Sequence, residues 1–148
     1  MNKNEPRFQD QHLRLADFNQ EVWVVCPQCS KKAIAKANEE NARLFCNNCG
    51  YQKETSLTML VLNQKVKVKM AAHFYFDAEL WLQLPFKNDV FYAYNLAHLD
   101  YLEQYISAKL REHKDRTHFT LLEKLPKFYH EAKNRDALLK LIEKLKKK

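Results

Sequence analysis

Four cysteines, arranged in two pairs, are the residues of this chain with the clearest capacity for chemistry. Each pair has the spacing C-x2-C, and sixteen residues separate the two pairs. A two-residue gap lets two thiolates of one tight turn bind the same ion, and a short hairpin brings two such turns together into a tetrahedral sulfur site. Because thiolates are soft ligands, the sequence predicts one structural zinc ion. Its ligands would be Cys26, Cys29, Cys46 and Cys49.

Two other uses of these thiols are open at the level of sequence. A thiol–disulfide oxidoreductase site would also fit Cys26 and Cys29, but no βαβ pattern surrounds them. Two structural disulfides would fit a secreted protein, but residues 1–7 contain no apolar signal segment. We therefore expect a cytoplasmic protein with a closed four-sulfur site. Such a site has no free position for water, so the metal would stabilise the fold and not catalyse a reaction.

Composition argues against several classes of protein. The 148 residues include one glycine, Gly50, whereas phosphate loops and dinucleotide-binding turns need several glycines. The six histidines form no H-E-x-x-H pattern, so a non-enzymatic protein is favoured. No apolar run is long enough to cross a bilayer, and no membrane association is expected.

The elements that must position the cysteines are short strands on either side of each pair. Each of these segments leads into or out of a cysteine turn, as short strands bounded by turns do. We predict an N-terminal extension at residues 1–19 and a three-stranded antiparallel zinc ribbon at residues 20–56. The strand-like segments are residues 22–25, 32–36, 43–45 and 51–54.

Residues 57–148 are predicted to form a β-hairpin plus an α-helical region. Residues 65–70 alternate lysine with an apolar residue, which would suit either a solvated strand or a strand that contacts phosphate. Eight of the eighteen aromatic residues lie between residues 74 and 94. They could stack nucleic-acid bases, but the leucines among them favour a core sheet with a hairpin turn at residues 87–89.

The period becomes helical after Asn95, which can cap a first helix that packs on the aromatic sheet. A polar loop is expected at residues 113–120, and Asn134 is predicted to cap a last helix. The predicted fold class is therefore α+β. The apolar stripes of the two helices are Leu99, Leu102, Ile106 and Leu110 in the first and Leu138, Leu141, Ile142 and Leu145 in the last.

The two cysteine motifs resemble those of a known family. V-x-C-P-x-C and L-x-C-x-x-C-G-Y are similar to the zinc ribbons of transcription factors, ribosomal proteins and polymerase subunits. A wider likeness, from about residue 20 to the end, resembles small bacterial proteins with a transcription-factor-IIB-type zinc ribbon, some labelled after the primosomal replication-restart helicase. This resemblance implies no particular activity. The segments that carry it are residues 80–83, 92–95, 98–99, 110–112, 125–127 and 132–136.

Charge is distributed unevenly along the chain. The formal net charge of +7 falls to about +5 when four thiolates and one Zn2+ are counted. Residues 91–148 hold thirteen basic and eight acidic side chains. Lys146, Lys147 and Lys148 are expected to form a frayed basic tail that binds polyanions weakly and without specificity.

These observations predict a zinc-ribbon adaptor that binds RNA or DNA, or a protein partner in a nucleoprotein assembly. The alternative is a zinc-stabilised protein–protein interaction module, in which Trp23 and Tyr51 contact the partner. Oligomeric state does not follow from the sequence. The candidate binding residues are Trp23, Lys31, Lys32, Lys36, Arg43, Tyr51, Lys53, Lys133 and Arg135.

Overall fold

The chain folds into small antiparallel sheets and two C-terminal helices, so its class is α+β as predicted. Two short strands, β1 (Arg7–Gln9) and β10 (Leu110–Glu112), form a separate parallel pair. The predicted loop at residues 113–120 lies outside the described part of the chain. The computed structural model describes residues 7–9, 15–108, 110–112 and 125–148.

An antiparallel sheet carries the four cysteines. It has four strands, one more than the predicted three-stranded ribbon. The last strand pairs with its neighbour from Gln52 to Ser56, although its residues are almost all polar and exposed. It overlaps the strand-like segment predicted at residues 51–54, so the segment was predicted correctly and the count of three strands was wrong. The strands, in spatial order, are β2 (Glu21–Val25), β3 (Lys32–Ala37), β4 (Asn41–Phe45) and β5 (Gln52–Ser56).

Alternation along these strands gives the sheet two different faces. The inner face packs against a 3-10 helix, Ala72–Phe76, and against Tyr94. The outer face presents Trp23, Ile34 and Phe45, which are aligned across β2, β3 and β4. The buried residues of the inner face are Val22, Val24, Ala33, Ala35, Ala42 and Leu44.

A second hairpin, β6 (Thr58–Val61) and β7 (Gln64–Lys67), stands apart from the buried cores. Every residue of both strands is exposed. The turn consists of Leu62 and Asn63, both with positive φ, as a two-residue hairpin turn requires. The alternating pattern at residues 65–70 thus predicted a strand correctly up to Lys67, and the strand ends there.

A third hairpin links the sheet to the helices. It comprises β8 (Leu82–Phe86) and β9 (Asp89–Ala93), with the turn where the sequence predicted it. The chain on both sides of this hairpin is bonded to β2. The Trp81 N–H donates to the Trp23 carbonyl (3.0 Å), and the Trp23 N–H donates to the Tyr94 carbonyl (2.7 Å). The edge of β2 is therefore covered.

The helices are α1 (Leu96–Ser107) and α2 (Arg135–Lys146). The predicted cap of α1 is confirmed, because Asn95 Oδ1 accepts a hydrogen bond from the His98 N–H at 2.9 Å. The Asn95 amide also donates to the Glu21 carbonyl (2.7 Å), which ties α1 to β2. No described helix is both long and apolar enough to cross a bilayer.

Two details of the helix predictions are wrong. Helix α1 ends at Ser107, so Leu110 belongs to β10 and not to the helical stripe. Asn134 precedes α2 but makes no capping bond, because a 3-10 turn leads directly into the helix and leaves Asn134 in a helical conformation. Its side chain instead donates to the Phe128 carbonyl (3.2 Å) and accepts from Lys87 Nζ (2.8 Å).

The aromatic segment contributes mainly to the core, as the sequence favoured. Phe91 is fully buried and Phe86 nearly so, between the β8–β9 hairpin and the helices. Phe74 is the exception, with 57% of its surface exposed. The helical residues of this core are Leu99, Tyr101, Leu102, Tyr105, Ile106, Leu138, Ile142 and Leu145.

His98 lies in α1 between aromatic rings. Its side chain is buried, and Nδ1 accepts a hydrogen bond from the Tyr94 N–H at 3.0 Å. The Phe18 ring stacks on it, with centroids 4.9 Å apart. Burial opposes the charged imidazolium and lowers the pKa of His98 to about 4.

This pKa predicts a specific acid sensitivity. As pH falls from about 6.5 towards 4, the unfolded chain takes up a proton at His98 that the folded chain does not. The free energy of unfolding should therefore decrease over this range, by an amount of order 3 kcal/mol at the acid end. His98→Asn keeps an acceptor for the Tyr94 N–H and should flatten the pH dependence. Urea unfolding of both proteins at several pH values measures this, and equal slopes would contradict it.

Candidate metal centre

The four cysteines lie in two turns with the same backbone geometry. In the first turn, the Cys26 N–H donates to the Lys31 carbonyl (2.7 Å) and the Ser30 N–H donates to the Cys26 carbonyl (3.0 Å). In the second, the Cys46 N–H donates to the Tyr51 carbonyl and the Gly50 N–H donates to the Cys46 carbonyl, both at 2.9 Å. The two turns are equivalent halves of one site.

Each turn closes through one residue with left-handed backbone angles. Gly50 has φ of 82°, and Ser30 has φ of 64° at the equivalent position. Glycine adopts this conformation without steric cost, whereas a residue with a Cβ adopts it less readily. An added Cβ at Gly50 would meet no heavy atom within 4 Å, so only the backbone conformation favours glycine there.

The four sulfur atoms form a compact group. Cys26 Sγ lies 3.6 Å from Cys49 Sγ, and Cys29 Sγ lies 3.6 Å from Cys46 Sγ. All four atoms lie within 4.8 Å of one another. A tetrahedral zinc site with Zn–S bonds of about 2.3 Å has sulfur–sulfur edges of about 3.8 Å. A disulfide would require about 2.05 Å, and all four cysteines are free. The group therefore has the dimensions of a four-sulfur metal site.

Hydrogen bonds to sulfur support the thiolate form. Cys26 Sγ accepts from the backbone N–H groups of Gln28 (3.4 Å) and Cys29 (3.5 Å). The Asn48 amide, from the other turn, donates to Cys29 Sγ at 3.5 Å. This contact of Asn48 was not apparent from the sequence.

The thiols of this group differ in how readily they lose a proton. The Lys31 backbone N–H, followed by the Asn48 amide, lowers the pKa of Cys29 to about 6. At Cys49 the Tyr51 backbone N–H favours the thiolate, but burial and the neighbouring sulfur atoms outweigh it and raise the pKa to about 12. The first proton leaves easily and the last resists, because negative charges accumulate within a few ångströms. A bound divalent ion would remove this conflict.

The outer face of the sheet brings several predicted binding residues together. Lys32 Nζ lies 3.9 Å from the centroid of the Trp23 ring. Arg43 Cζ and Lys36 Nζ lie 5.0 and 6.0 Å from the centroid of the Phe45 ring. Cationic heads therefore stand beside aromatic rings on this face.

Two residues that the sequence analysis missed continue this surface. Leu80 pairs with Val24, so Trp81 stands opposite Trp23 with its side chain on the same face. Lys148 Nζ lies 4.3 Å from the Trp81 ring centroid. Neither residue could be connected with the ribbon from local pattern, since both reach it through long-range contacts. We call the half-buried residues Trp81, Trp23, Ile34 and Phe45 the outer row.

The other predicted binding residues lie elsewhere. Lys31 is exposed in the first cysteine turn, and Lys53 is exposed on the inner side of β5. Tyr51 is half-buried and packs against the core beneath the cysteines. Lys133 pairs with Glu131 at 3.1 Å, and Arg135 Nε donates to the Ile106 carbonyl at 3.1 Å, which links α2 to the end of α1.

The C-terminal lysines do not form the frayed tail that the sequence suggested. Lys146 Nζ contacts the carboxylates of Glu103 (2.7 Å) and Asp100 (3.2 Å) on α1. Lys148 Nζ donates to the Trp81 carbonyl at 2.7 Å. These two charges are held against the protein, because α2 packs along α1 and directs its last turn towards acidic and carbonyl groups.

The chain matches no protein-family model, no curated protein and no solved structure.

The two turns differ in the residue at the left-handed position, which is Gly50 in one and Ser30 in the other. This difference gives a direct test of the turn geometry. Gly50→Ala should lower the free energy of unfolding by about 1 kcal/mol, because alanine resists the left-handed conformation. Ser30→Ala is the matched control, since position 30 already holds a residue with a Cβ, and should change stability by less than about 0.5 kcal/mol. Urea unfolding in excess zinc measures both. Equal effects at the two positions would contradict the account.

Proposed function

We propose that this protein is a non-enzymatic zinc-ribbon adaptor that binds nucleic acid. The proposal of zinc is supported by the four-sulfur group with tetrahedral dimensions and by the softness of thiolate ligands. Two equivalent cysteine turns on an antiparallel sheet are also the arrangement that the resemblance to transcription-factor-IIB-type zinc ribbons implies. In this proposal the metal organises the sheet and takes no part in a reaction.

The observation that supports nucleic-acid binding is the position of cations beside the outer row. Lys148 stands at Trp81, Lys32 at Trp23, and both Lys36 and Arg43 near Phe45. Trp23 and Trp81 pack in part against the core that the helices share, and all the outer-row side chains are half-buried. Cations in this arrangement can contact successive phosphates while the accessible parts of the rings contact bases. Single-stranded RNA or DNA combines backbone charge with unstacked bases, so it matches the surface better than a duplex does.

Acidic residues on the same face limit the strength of this attraction. Glu21 pairs with Lys36 at 3.3 Å, Glu54 stands opposite Arg43, and Glu79 stands opposite Val25. The net positive charge of the face is therefore small. Binding should involve only a few phosphates, so its dependence on salt should be moderate.

The competing function is a zinc-stabilised protein-interaction module without direct nucleic-acid contact. The same outer row favours it, because half-buried tryptophan and phenylalanine side chains with polar neighbours are typical of protein interfaces. The two functions differ in whether the cations are needed. A protein partner would depend chiefly on Trp23 and Trp81, whereas a nucleic acid would depend on the lysines and the arginine as well.

Reversal of charge on the outer face distinguishes these functions. The double variant Lys32→Glu, Arg43→Glu should bind a fluorescein-labelled single-stranded oligonucleotide at least about tenfold more weakly than the wild type, because phosphate contacts are replaced by repulsion. Fluorescence anisotropy at several salt concentrations measures the affinity. The slope of log affinity against log salt should become shallower by about one for each contact removed.

The control is Lys53→Glu, Lys133→Glu, which changes the net charge equally but lies off the outer face. It should retain affinity within about threefold. Equal losses in the two double variants would indicate unspecific electrostatics and contradict the assigned surface. Absence of binding by the zinc-loaded wild type would leave the protein-interaction module as the better account.

A further inference from the structure

The hairpin of β6 and β7 is a second surface that nucleic-acid binding leaves unexplained. We call residues 57–68 the hairpin arm. Its base is firmly attached, because Leu57 is buried and the Tyr75 hydroxyl donates to the Val68 carbonyl at 2.6 Å. Beyond the base, Leu60 is 74% exposed and Leu62 is 93% exposed. An isolated two-stranded hairpin gains little stability in water, so these exposed aliphatic side chains do not serve the fold.

The pairing pattern shows which backbone groups face outwards. The Val68 N–H donates to the Leu57 carbonyl at 2.9 Å, and bonded and non-bonded pairs alternate along an antiparallel ladder. Pairs Met59–Val66 and Val61–Gln64 are therefore bonded, and pair Leu60–Lys65 is not. The N–H and carbonyl of Leu60 consequently point away from β7. No strand within the described residues pairs with that edge of β6.

The two edges of the hairpin arm differ in their protection. The β7 edge carries Lys65 and Lys67, and lysine at an edge opposes pairing with another strand. The β6 edge consists of uncharged residues from Thr58 to Val61. Natural sheets usually protect such an edge by charge, proline or cover. An unprotected apolar edge beside a protected one indicates that a strand is added to β6.

The side chains indicate the chemistry of that strand. One face of the arm presents Met59, Val61 and Val66, and the other presents Thr58 and Leu60 on β6 beside Lys67 and Lys65 on β7. Residues 55–76 contain three lysines and no carboxylate, so a second copy of this arm would be repelled. A bilayer offers no backbone donors and acceptors for the open edge, and nucleic acid does not match an aliphatic strand.

We propose that β6 receives an extended segment of a partner protein by strand addition, with apolar residues beside Met59 and Val61 and acidic residues on the opposite face, beside Thr58 and Leu60. On that face long acidic side chains can extend over β6 towards the ammonium groups of Lys65 and Lys67 on β7. The partner strand would satisfy the open N–H and carbonyl of Leu60. This surface is separate from the outer row, and its test does not depend on the binding of nucleic acid.

The test uses an acetylated and amidated peptide of alternating glutamate and valine, added to the zinc-loaded full chain and followed by NMR. Saturable shifts of the Leu60 amide and its protection from hydrogen exchange are expected. Leu60→Pro should weaken binding at least about tenfold, because it removes the outward N–H without removing a bond to β7. Lys65→Pro, on the opposite edge, is compared with Lys65→Gln, which removes the same charge but keeps the N–H. These two variants should bind the peptide equally within about threefold, because the outward N–H of β7 takes no part.

Further variants and ligands distinguish a partner strand from other partners of the hairpin arm. Leu62→Asn retains a residue suited to the left-handed turn position and should leave peptide binding unchanged. A peptide with N-methyl groups on alternate residues should not bind. Absence of saturable shifts in the wild type would overturn the proposal, as would a loss in Lys65→Pro, relative to Lys65→Gln, equal to the loss in Leu60→Pro. Binding through the arm to anionic vesicles or to duplex DNA in place of the peptide would also overturn it.

Discussion

Four sulfur ligands held within 4.8 Å of one another are the constraint on which the rest of the structure depends, because ionisation of all four would place like charges side by side. The backbone places the sulfur atoms there through two equivalent turns, and hydrogen bonds from the Gln28 and Cys29 N–H groups and from the Asn48 amide favour negative charge on the sulfur atoms that accept them. The Lys31 N–H lowers the pKa of Cys29 to about 6, whereas burial and the neighbouring sulfur atoms raise the pKa of Cys49 to about 12. In the proposed account one zinc ion offsets two of the four negative charges, and its binding free energy becomes folding free energy for the sheet.

The surfaces of the protein follow from that sheet. Its small inner residues allow the 3-10 helix and Tyr94 to approach closely, while its outer positions hold larger side chains in register. The edge of β2 is joined to Leu80 and Trp81, and so a tryptophan distant in sequence becomes part of the same face. The hairpin arm leaves the sheet directly after β5. The proposed nucleic-acid surface and the proposed strand-addition surface thus have a common origin in the sheet that carries the cysteines.

Local sequence patterns predicted those features that have a local cause. Cysteine spacing placed the four sulfur atoms together, the short segments around the cysteine turns placed β2 to β5, and a polar side chain before an apolar stripe identified Asn95 as a cap. Features with long-range causes were missed. Asn134 is bonded to the Phe128 carbonyl and to Lys87 and does not cap α2, and Lys146 is bound to α1. None of these contacts has a periodic signal in the sequence.

The most direct test of the central claim is X-ray absorption spectroscopy at the zinc edge on the reduced native protein, together with its metal content. The account predicts one zinc ion per chain surrounded by four sulfur atoms at about 2.3 Å, with no nitrogen or oxygen ligand. A folded, reduced protein without stoichiometric metal would contradict it. So would a first coordination shell that contains fewer than four sulfur atoms.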